Sequence, residues 1–118
     1  MKRDMDLLRS LLLKVEEQPF NGPFPIIEIQ GHSKDEVAYH ARLAQEAGFV
    51  EAHFSMSGDF FVRRLTYAGH EFLDAAREDK LWNKAKDTVL KNAGTLTMDA
   101  LKTALSMLMQ QAARGMIT

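Results

Sequence analysis

A helix that stops at a glycine and leads straight into a tight β-hairpin is the feature that most constrains how this chain folds. The helix ends within Tyr39–Val50, where Gly48 can adopt the left-handed backbone that closes a helix. From Val50 to Met56 apolar and polar side chains alternate with a period of two, as they do in a half-buried strand. Ser57-Gly58-Asp59 then predicts a three-residue turn, and Phe60–Leu65 predicts the returning strand. A helix set beside such a hairpin is typical of a binding module.

Two elements are predicted ahead of this helix, and a capping motif marks where the helix begins. Apolar side chains at helical spacing predict a first helix over residues 4–17. The segment Pro25–Ile29 is short and rich in β-branched residues, so we expect a strand that pairs with the hairpin as the third strand of an antiparallel sheet. Ser33 is followed three residues later by Glu36, which is the pattern of a capping box and predicts the start of the glycine-stopped helix.

After the hairpin the pattern is helical to the end of the chain. Thr66 is expected to cap a further helix, a helical stretch follows around Trp82, and a last helix is predicted from about residue 97 to residue 114. The expected fold class is therefore α+β and mostly helical. It consists of a winged-helix-like domain over residues 1–78 and a C-terminal helical extension over residues 79–118, which packs on that domain or forms a dimer contact.

Composition excludes some classes of function without selecting one. The chain of 118 residues carries 15 Lys and Arg against 16 Asp and Glu, whereas nucleic-acid-binding domains usually carry a basic excess. It contains no cysteine, which excludes thiolate metal sites and cysteine nucleophiles. The sequence has no apolar run long enough to span a bilayer and no signal-peptide pattern, so we expect a cytoplasmic protein without a membrane partner.

Two stretches carry a resemblance to known families. Tyr39–Val50 resembles the recognition helix of bacterial winged-helix repressors, although alanines stand where leucines are usual in those proteins. The chain is also similar to a family of small bacterial and phage-borne proteins classed as a domain of unknown function. That family shares the start Met1–Leu7 and the stretch Leu65–Asp74 followed by a tryptophan, and the likeness covers roughly residues 1–92. It implies a winged-helix fold and a prophage or mobile-element context, and it implies no established activity.

The first functional hypothesis is that the chain binds double-stranded DNA, as a small phage or prophage transcriptional regulator would. The candidate contacts lie on the glycine-stopped helix, which would be the recognition helix, and on the hairpin, which would be the wing. They are Lys34, Tyr39 and Arg42 on the exposed face of the helix, and Arg63 and Arg64 on the hairpin. Arginine pairs with guanine in the major groove, and tyrosine bonds a phosphate or a base edge. Regular strand alternation would place Arg63 and Arg64 on opposite faces, so at most one of them is expected to reach phosphate easily. The recognition helix carries more acidic than basic residues, which weakens this hypothesis.

The second hypothesis is a winged-helix module that binds a protein partner instead of DNA, and the near-neutral charge favours it. In either case the last helix offers a contact for a homodimer, because its apolar stripe is broad and rich in methionine. The residues expected in that contact are Leu101, Leu105, Leu108 and Met109.

The sequence contains no recognisable catalytic motif, so an enzyme is not expected. His32, Glu36 and His40 recur at a spacing of four, which on a helix would align three zinc ligands. A histidine that caps a helix or fills the core is the more common use of such residues, and a closed zinc site needs a fourth ligand. We therefore expect neither a metal site nor a cofactor.

Overall fold

The structure, a computed structural model, describes residues 1–117 of the chain and the side chains of residues 1–115. Five helices and one two-stranded antiparallel sheet are formed by these residues, so the expected α+β, mostly helical class is confirmed. The elements are α1 (Met5–Glu16), α2 (Lys34–Glu46), β1 (Val50–Phe54), β2 (Phe60–Leu65), α3 (Tyr67–Ala76), α4 (Asp79–Ala93) and α5 (Met98–Ile117). The chain divides into two compact units, Met1–Leu73 and residues 74 onward, whereas the predicted boundary follows residue 78.

In the first unit, α1 and α2 pack against each other through their buried faces. Asp4 caps α1, since its carboxylate accepts hydrogen bonds from the backbone N–H groups of Asp6 (2.9 Å) and Leu7 (3.1 Å). The buried stripe of α1 consists of Met5, Leu7, Leu8, Leu11, Leu12 and Val15. The buried face of α2 consists of Val37, His40, Ala41 and Ala44. The short alanine side chains leave room for the bulky stripe of α1, because the distance between packed helices depends on the side chains at the contact.

The capping box and the glycine stop of α2 are both confirmed. The Ser33 hydroxyl accepts a hydrogen bond from the Glu36 N–H, and the Glu36 carboxylate accepts one from the Ser33 N–H, each at 3.1 Å. Gly48 has a φ of +81°. The N–H of Phe49 then returns to the carbonyl of Ala44 at 2.9 Å. The chain therefore leaves α2 and enters β1 in a fixed direction.

The hairpin has a bulge near its base. Glu51 pairs with Arg64 but the next residue, Ala52, pairs with Val62, so Arg63 is an extra residue in β2. Arg63 and Arg64 are consequently both exposed, one after the other along the strand. The expectation from regular alternation, that at most one of these arginines is available, does not hold.

The predicted third strand at Pro25–Ile29 does not form. Within the described residues the sheet has two strands, and this segment pairs with neither of them. Pro25 has no N–H to donate to a ladder. Ile27 is 7% exposed and Ile26 is 79% exposed, so the segment is anchored through single side chains. Just before it, the Phe24 ring stacks on the Phe61 ring of β2, with centroids 5.6 Å apart.

The start of α3 lies very close to the start of the hairpin. Thr66 caps α3 as expected, because its hydroxyl oxygen accepts a hydrogen bond from the Gly69 N–H at 3.1 Å. The same hydroxyl donates to the carbonyl of Gly48, and the Thr66 N–H donates to the carbonyl of Phe49 at 2.9 Å. A Cβ at Gly69 would overlap that Phe49 carbonyl, so only glycine fits there.

The second unit contains two helices that pack against each other, α4 and α5. α4 buries Trp82, Ala85 and Val89. α5 buries Leu101, Ala104 and Leu105. Gly94, at a φ of +75°, ends α4 and lets the chain turn back toward α5.

Candidate nucleic-acid interface

The two cations of α2 are held against the hairpin. Lys34 Nζ lies 2.6 Å from Asp59 Oδ1 in the hairpin turn, and this hydrogen bond raises the pKa of Lys34 and lowers the pKa of Asp59. The guanidinium carbon of Arg42 lies 4.1 Å from the centroid of the Phe54 ring, which is a cation–π contact. The side-chain amide of Gln45 adds a third link, 2.7 Å from a backbone carbonyl of β1. Lys34 and Arg42 therefore help to fix the hairpin on α2.

The face of α2 that carries Tyr39 is aromatic and acidic. Tyr39 is 38% exposed, and its ring meets the His40 ring edge-on with centroids 5.8 Å apart. Asp35 and Glu46 are exposed as well. Residues three, four and seven apart share a helix face, so Asp35, Tyr39, Arg42 and Glu46 form one surface with two carboxylates and one guanidinium. Two carboxylates around a tyrosine suit a phosphate-lined major groove poorly.

His40 connects α2 to the start of α1. It is 1% exposed, and its Nε2 accepts a hydrogen bond from the backbone N–H of Asp4 at 2.8 Å. Because that N–H can only donate, the ring proton must sit on Nδ1, which donates to the Glu36 carbonyl at 2.8 Å. Backbone groups thus satisfy both ring nitrogens, and the interpretation of His40 as a core histidine is confirmed.

His32, Glu36 and His40 do not assemble into a set of metal ligands. His32 Nδ1 lies 3.2 Å from Glu36 Oε2. The pKa of Glu36 is lowered, first by the hydrogen bond from the Ser33 N–H and then by the hydrogen bond with His32. The nitrogens of His40 point to backbone partners instead. Across residues 1–117, no group of three or more histidine, aspartate and glutamate side chains could hold a metal ion.

The two hairpin arginines differ in what they contact. Arg64 lies 2.6 Å from Glu51 Oε1 and donates to the carbonyl of Leu65 at 3.1 Å. This pairing lowers the pKa of Glu51. Arg63 is exposed and makes no hydrogen bond or ion pair with any residue that the structure describes. Among the predicted DNA contacts, Arg63 is therefore the cation that a phosphate can reach without breaking an existing contact.

A cleft of about 510 Å³ opens at the base of the hairpin, beside these arginines. Its walls come from the end of α1, the loop that follows, the end of β2 and the start of α3, and they include Gln18, Phe20, Arg63, Arg64, Tyr67 and His70. Phe20, Tyr67 and His70 are absent from the residues predicted from sequence. Phe20 lies on a different segment from Tyr67 and His70, so the sequence does not indicate that the three residues meet. The available signal for this site was Phe20, an aromatic residue in a loop that contains proline and glycine.

The predicted dimer contact is split between the core and the surface of the second unit. Leu101 and Leu105 are 0% and 1% exposed, so their side chains belong to the packing of the monomer. Leu108 is half-buried and Met109 is 41% exposed. The homodimer stays a prediction, and Leu108 and Met109 are the members of the predicted set that a second copy could contact.

Comparison with known proteins gives a family and one close relative of matching length. Residues 2–95 match the family model described as "Hypothetical protein (DUF2513)". An "Uncharacterized protein" of Haemophilus influenzae is 37% identical over 115 residues, which span 94% of this chain and 98% of the relative. No solved structure matches the chain. None of the helices within the described residues is long and apolar enough to cross a membrane.

Proposed function

The chain belongs to the DUF2513 family, and from this premise we propose that it is a DNA-binding protein that contacts duplex DNA through its β1–β2 hairpin. The family description names no activity, so the proposal rests on the arrangement of residues in this chain. The proposal also takes residues 1–78 to be a winged-helix domain and the chain to be a small phage or prophage transcriptional regulator. The observation that carries it is the bulge that leaves Arg63 and Arg64 exposed next to each other.

Phosphate contact by the hairpin follows from where the available positive charge lies. Arg63 is exposed and makes no hydrogen bond or ion pair among the described residues, and the side chain of Arg64 is 48% exposed beside Glu51. A guanidinium binds phosphate through two parallel hydrogen bonds. The cations of α2 contact the hairpin, Lys34 through an exposed ion pair like that of Arg64, and the carboxylates of Asp35 and Glu46 share the surface of Tyr39. In this proposal the hairpin holds the DNA backbone, and α2 contributes little base recognition.

The charge of the first unit predicts how such binding behaves. Residues 1–73 contain eight Lys and Arg against eleven Asp and Glu, a net charge of −3 with neutral histidines. Repulsion from the other phosphates therefore opposes the local attraction of the arginines, so a single copy binds weakly. Dimerisation through the surface of α5 that includes Leu108 and Met109 would double the number of arginine contacts.

Replacing Arg63 with alanine should weaken binding to mixed-sequence duplex DNA about tenfold at low salt. Loss of one phosphate contact should also make the slope of log K against log salt shallower by about 0.9. Titration by fluorescence anisotropy at several salt concentrations measures both quantities. Arg42→Ala is the matched control, because Arg42 packs on Phe54, and it should leave the slope unchanged. An R63A protein with wild-type affinity and slope would refute hairpin contact.

Replacing Glu51 with glutamine should strengthen duplex binding about threefold, because it abolishes the ion pair with Arg64 and removes a negative charge beside the two arginines. Glu46→Gln changes the net charge equally at an exposed position on α2, so it controls for the general effect of charge. We expect a smaller gain for E46Q than for E51Q in the same titration. Equal gains would mean that the position of the hairpin arginines is irrelevant.

A second candidate function is the binding of a protein partner without DNA, and a groove in the first unit favours it. The groove, of about 900 Å³, lies between α1 and residues 26–32, and Ile26 on its wall is 79% exposed. Leu13 and Ile29 line the groove together with Ile26, and apolar side chains that share one surface mark interaction sites. Absence of any duplex binding at low salt would reject the DNA proposal and leave this candidate. Binding without a salt slope would also contradict phosphate contact.

A further inference from the structure

We propose that the cleft at the base of the hairpin binds an unpaired nucleotide of a nucleic-acid strand, with the base stacked on Tyr67 or Phe20 and its phosphate on Arg63. This inference goes beyond the proposed function, because it names single-stranded nucleic acid as a ligand, and it rests on that function only for the phosphate contact of Arg63. The region lies wholly within the first unit and involves the two exposed arginines already described.

The aromatic side chains of the cleft are exposed to an unusual degree. Phe20 is 81% exposed and Tyr67 is 80% exposed, and they come from separate segments, the loop after α1 and the first turn of α3. Large aromatic residues normally lose most of their surface to the core, and here the core is filled by others such as Phe49 and Phe72, whose rings stack 5.0 Å apart. Packing therefore does not account for Phe20 and Tyr67, whereas stacking with a ligand does.

The charges around the cleft fit a phosphodiester. Arg63, Arg64 and His70 line the cleft, and Glu16 is the carboxylate among its lining residues. Glu16 already has an interaction partner, and Arg64 is paired with Glu51. Arg63 is consequently the donor that an incoming phosphate meets first, a few residues along the chain from the ring of Tyr67.

A second aromatic surface lies along β2, next to Arg63. Phe61 and Arg63 are both exposed on either side of the buried Val62, so they share the outer face of β2. The His53 ring stacks on the Phe61 ring at 4.9 Å, and the Phe24 ring stacks on Phe61 at 5.6 Å. Aromatic rings interleaved with arginine are the pattern by which proteins hold single strands without sequence preference.

An unpaired nucleotide explains this combination better than a duplex does. In undistorted duplex DNA the bases are stacked on each other, so their faces are not available for stacking with exposed rings. A volume of about 510 Å³ lies within the range of pockets that hold small ligands, and such pockets combine apolar walls with a few polar groups. The cleft therefore has room for one base and the phosphate attached to it.

The test is fluorescence anisotropy with a short labelled oligothymidylate and with a mixed-sequence duplex of the same length, both at low salt. We expect the wild-type chain to bind the single strand at least as tightly as the duplex. Tyr67→Ala and Phe20→Ala should each weaken single-strand binding about tenfold and change duplex binding less than about twofold. Tyr67→Phe keeps the ring and should retain the affinity, and Tyr39→Ala serves as the control tyrosine outside the cleft.

The outcomes separate this inference from the proposed function. If Y67A and F20A bind the oligothymidylate as the wild type does, the cleft is not a stacking site, whereas a weaker duplex affinity of R63A would still support hairpin contact. If neither oligonucleotide binds, the proposed function fails and the inference fails with it. Selective binding of a phosphotyrosine peptide by the cleft, without oligonucleotide binding, would also overturn it. Circular dichroism checks that each variant is folded. We expect Y67A and F20A to fold, because the side chains of Tyr67 and Phe20 are exposed.

Discussion

Replacing Gly69 with alanine should destabilise the first unit by about 3 kcal/mol and lower its thermal midpoint by about 12–24 °C. The added Cβ would overlap the carbonyl oxygen of Phe49, a backbone atom that cannot rotate away as the end of a side chain can. α3 would have to move off the start of β1. That movement would break the 2.9 Å hydrogen bond from the Thr66 N–H to the same oxygen. Thermal and urea unfolding followed by circular dichroism measure the loss.

Gly115 provides the matched control for this substitution. It also lies in a helix, but a Cβ there meets nothing within 4 Å. Gly115→Ala should therefore raise stability by up to about 1 kcal/mol, as alanine does in an unobstructed helix. A G69A protein with the urea midpoint of the wild type would mean that α3 does not lie against the backbone of Phe49.

Replacing His40 with alanine should cost about 3 kcal/mol of unfolding free energy. The substitution leaves a cavity at a position that is 1% exposed, and it removes the acceptor for the Asp4 N–H. Asp4 is the residue that caps α1, so the loss also loosens the start of that helix. Urea unfolding gives the change in free energy, and protection of the α1 amides from hydrogen exchange locates it.

His70→Ala is the control for the His40 substitution. His70 is exposed, and we expect its replacement to change the unfolding free energy by less than about 0.5 kcal/mol. Equal effects at His40 and His70 would contradict the assignment of His40 as the link between α1 and α2. A large loss in H40A without any loss of α1 protection would place the effect in the cavity alone.

Local signals in the sequence predicted the helix-and-hairpin core well because each depends on neighbouring residues. Ser33 and Glu36 form the predicted capping box since the motif needs only the first turn of the helix. Gly48 and the alternation that follows it predicted where α2 ends and β1 begins. The sequence favours a core or capping role for His40, because such histidines are more common than zinc ligands, and the structure adds its partner, 36 residues away in the sequence.

The features that the sequence could not predict depend on residues that lie far apart in the chain. Whether Pro25–Ile29 becomes a strand depends on ladder partners, and the apolar pattern alone does not show that these are missing. Lys34 and Arg42 were predicted on an exposed helix face, but the hairpin that occupies them lies farther along the chain. The bulge at Arg63 has no local signature in composition, so strict alternation misplaced the two arginines. The rings of the cleft come together only through folding.

The three links between α2 and the hairpin have a consequence for the thermodynamics of recognition. They join the turn at Asp59, the end of β1 at Phe54 and the middle of β1 to one helix; the exposed ion pair at the turn adds little, so the hairpin is braced mainly along β1. An isolated two-stranded hairpin is marginally stable in water and would lose conformational entropy on meeting a ligand. Here that entropy is already lost during folding. A ligand therefore meets a preorganised arm, and little of the contact free energy is spent on ordering it.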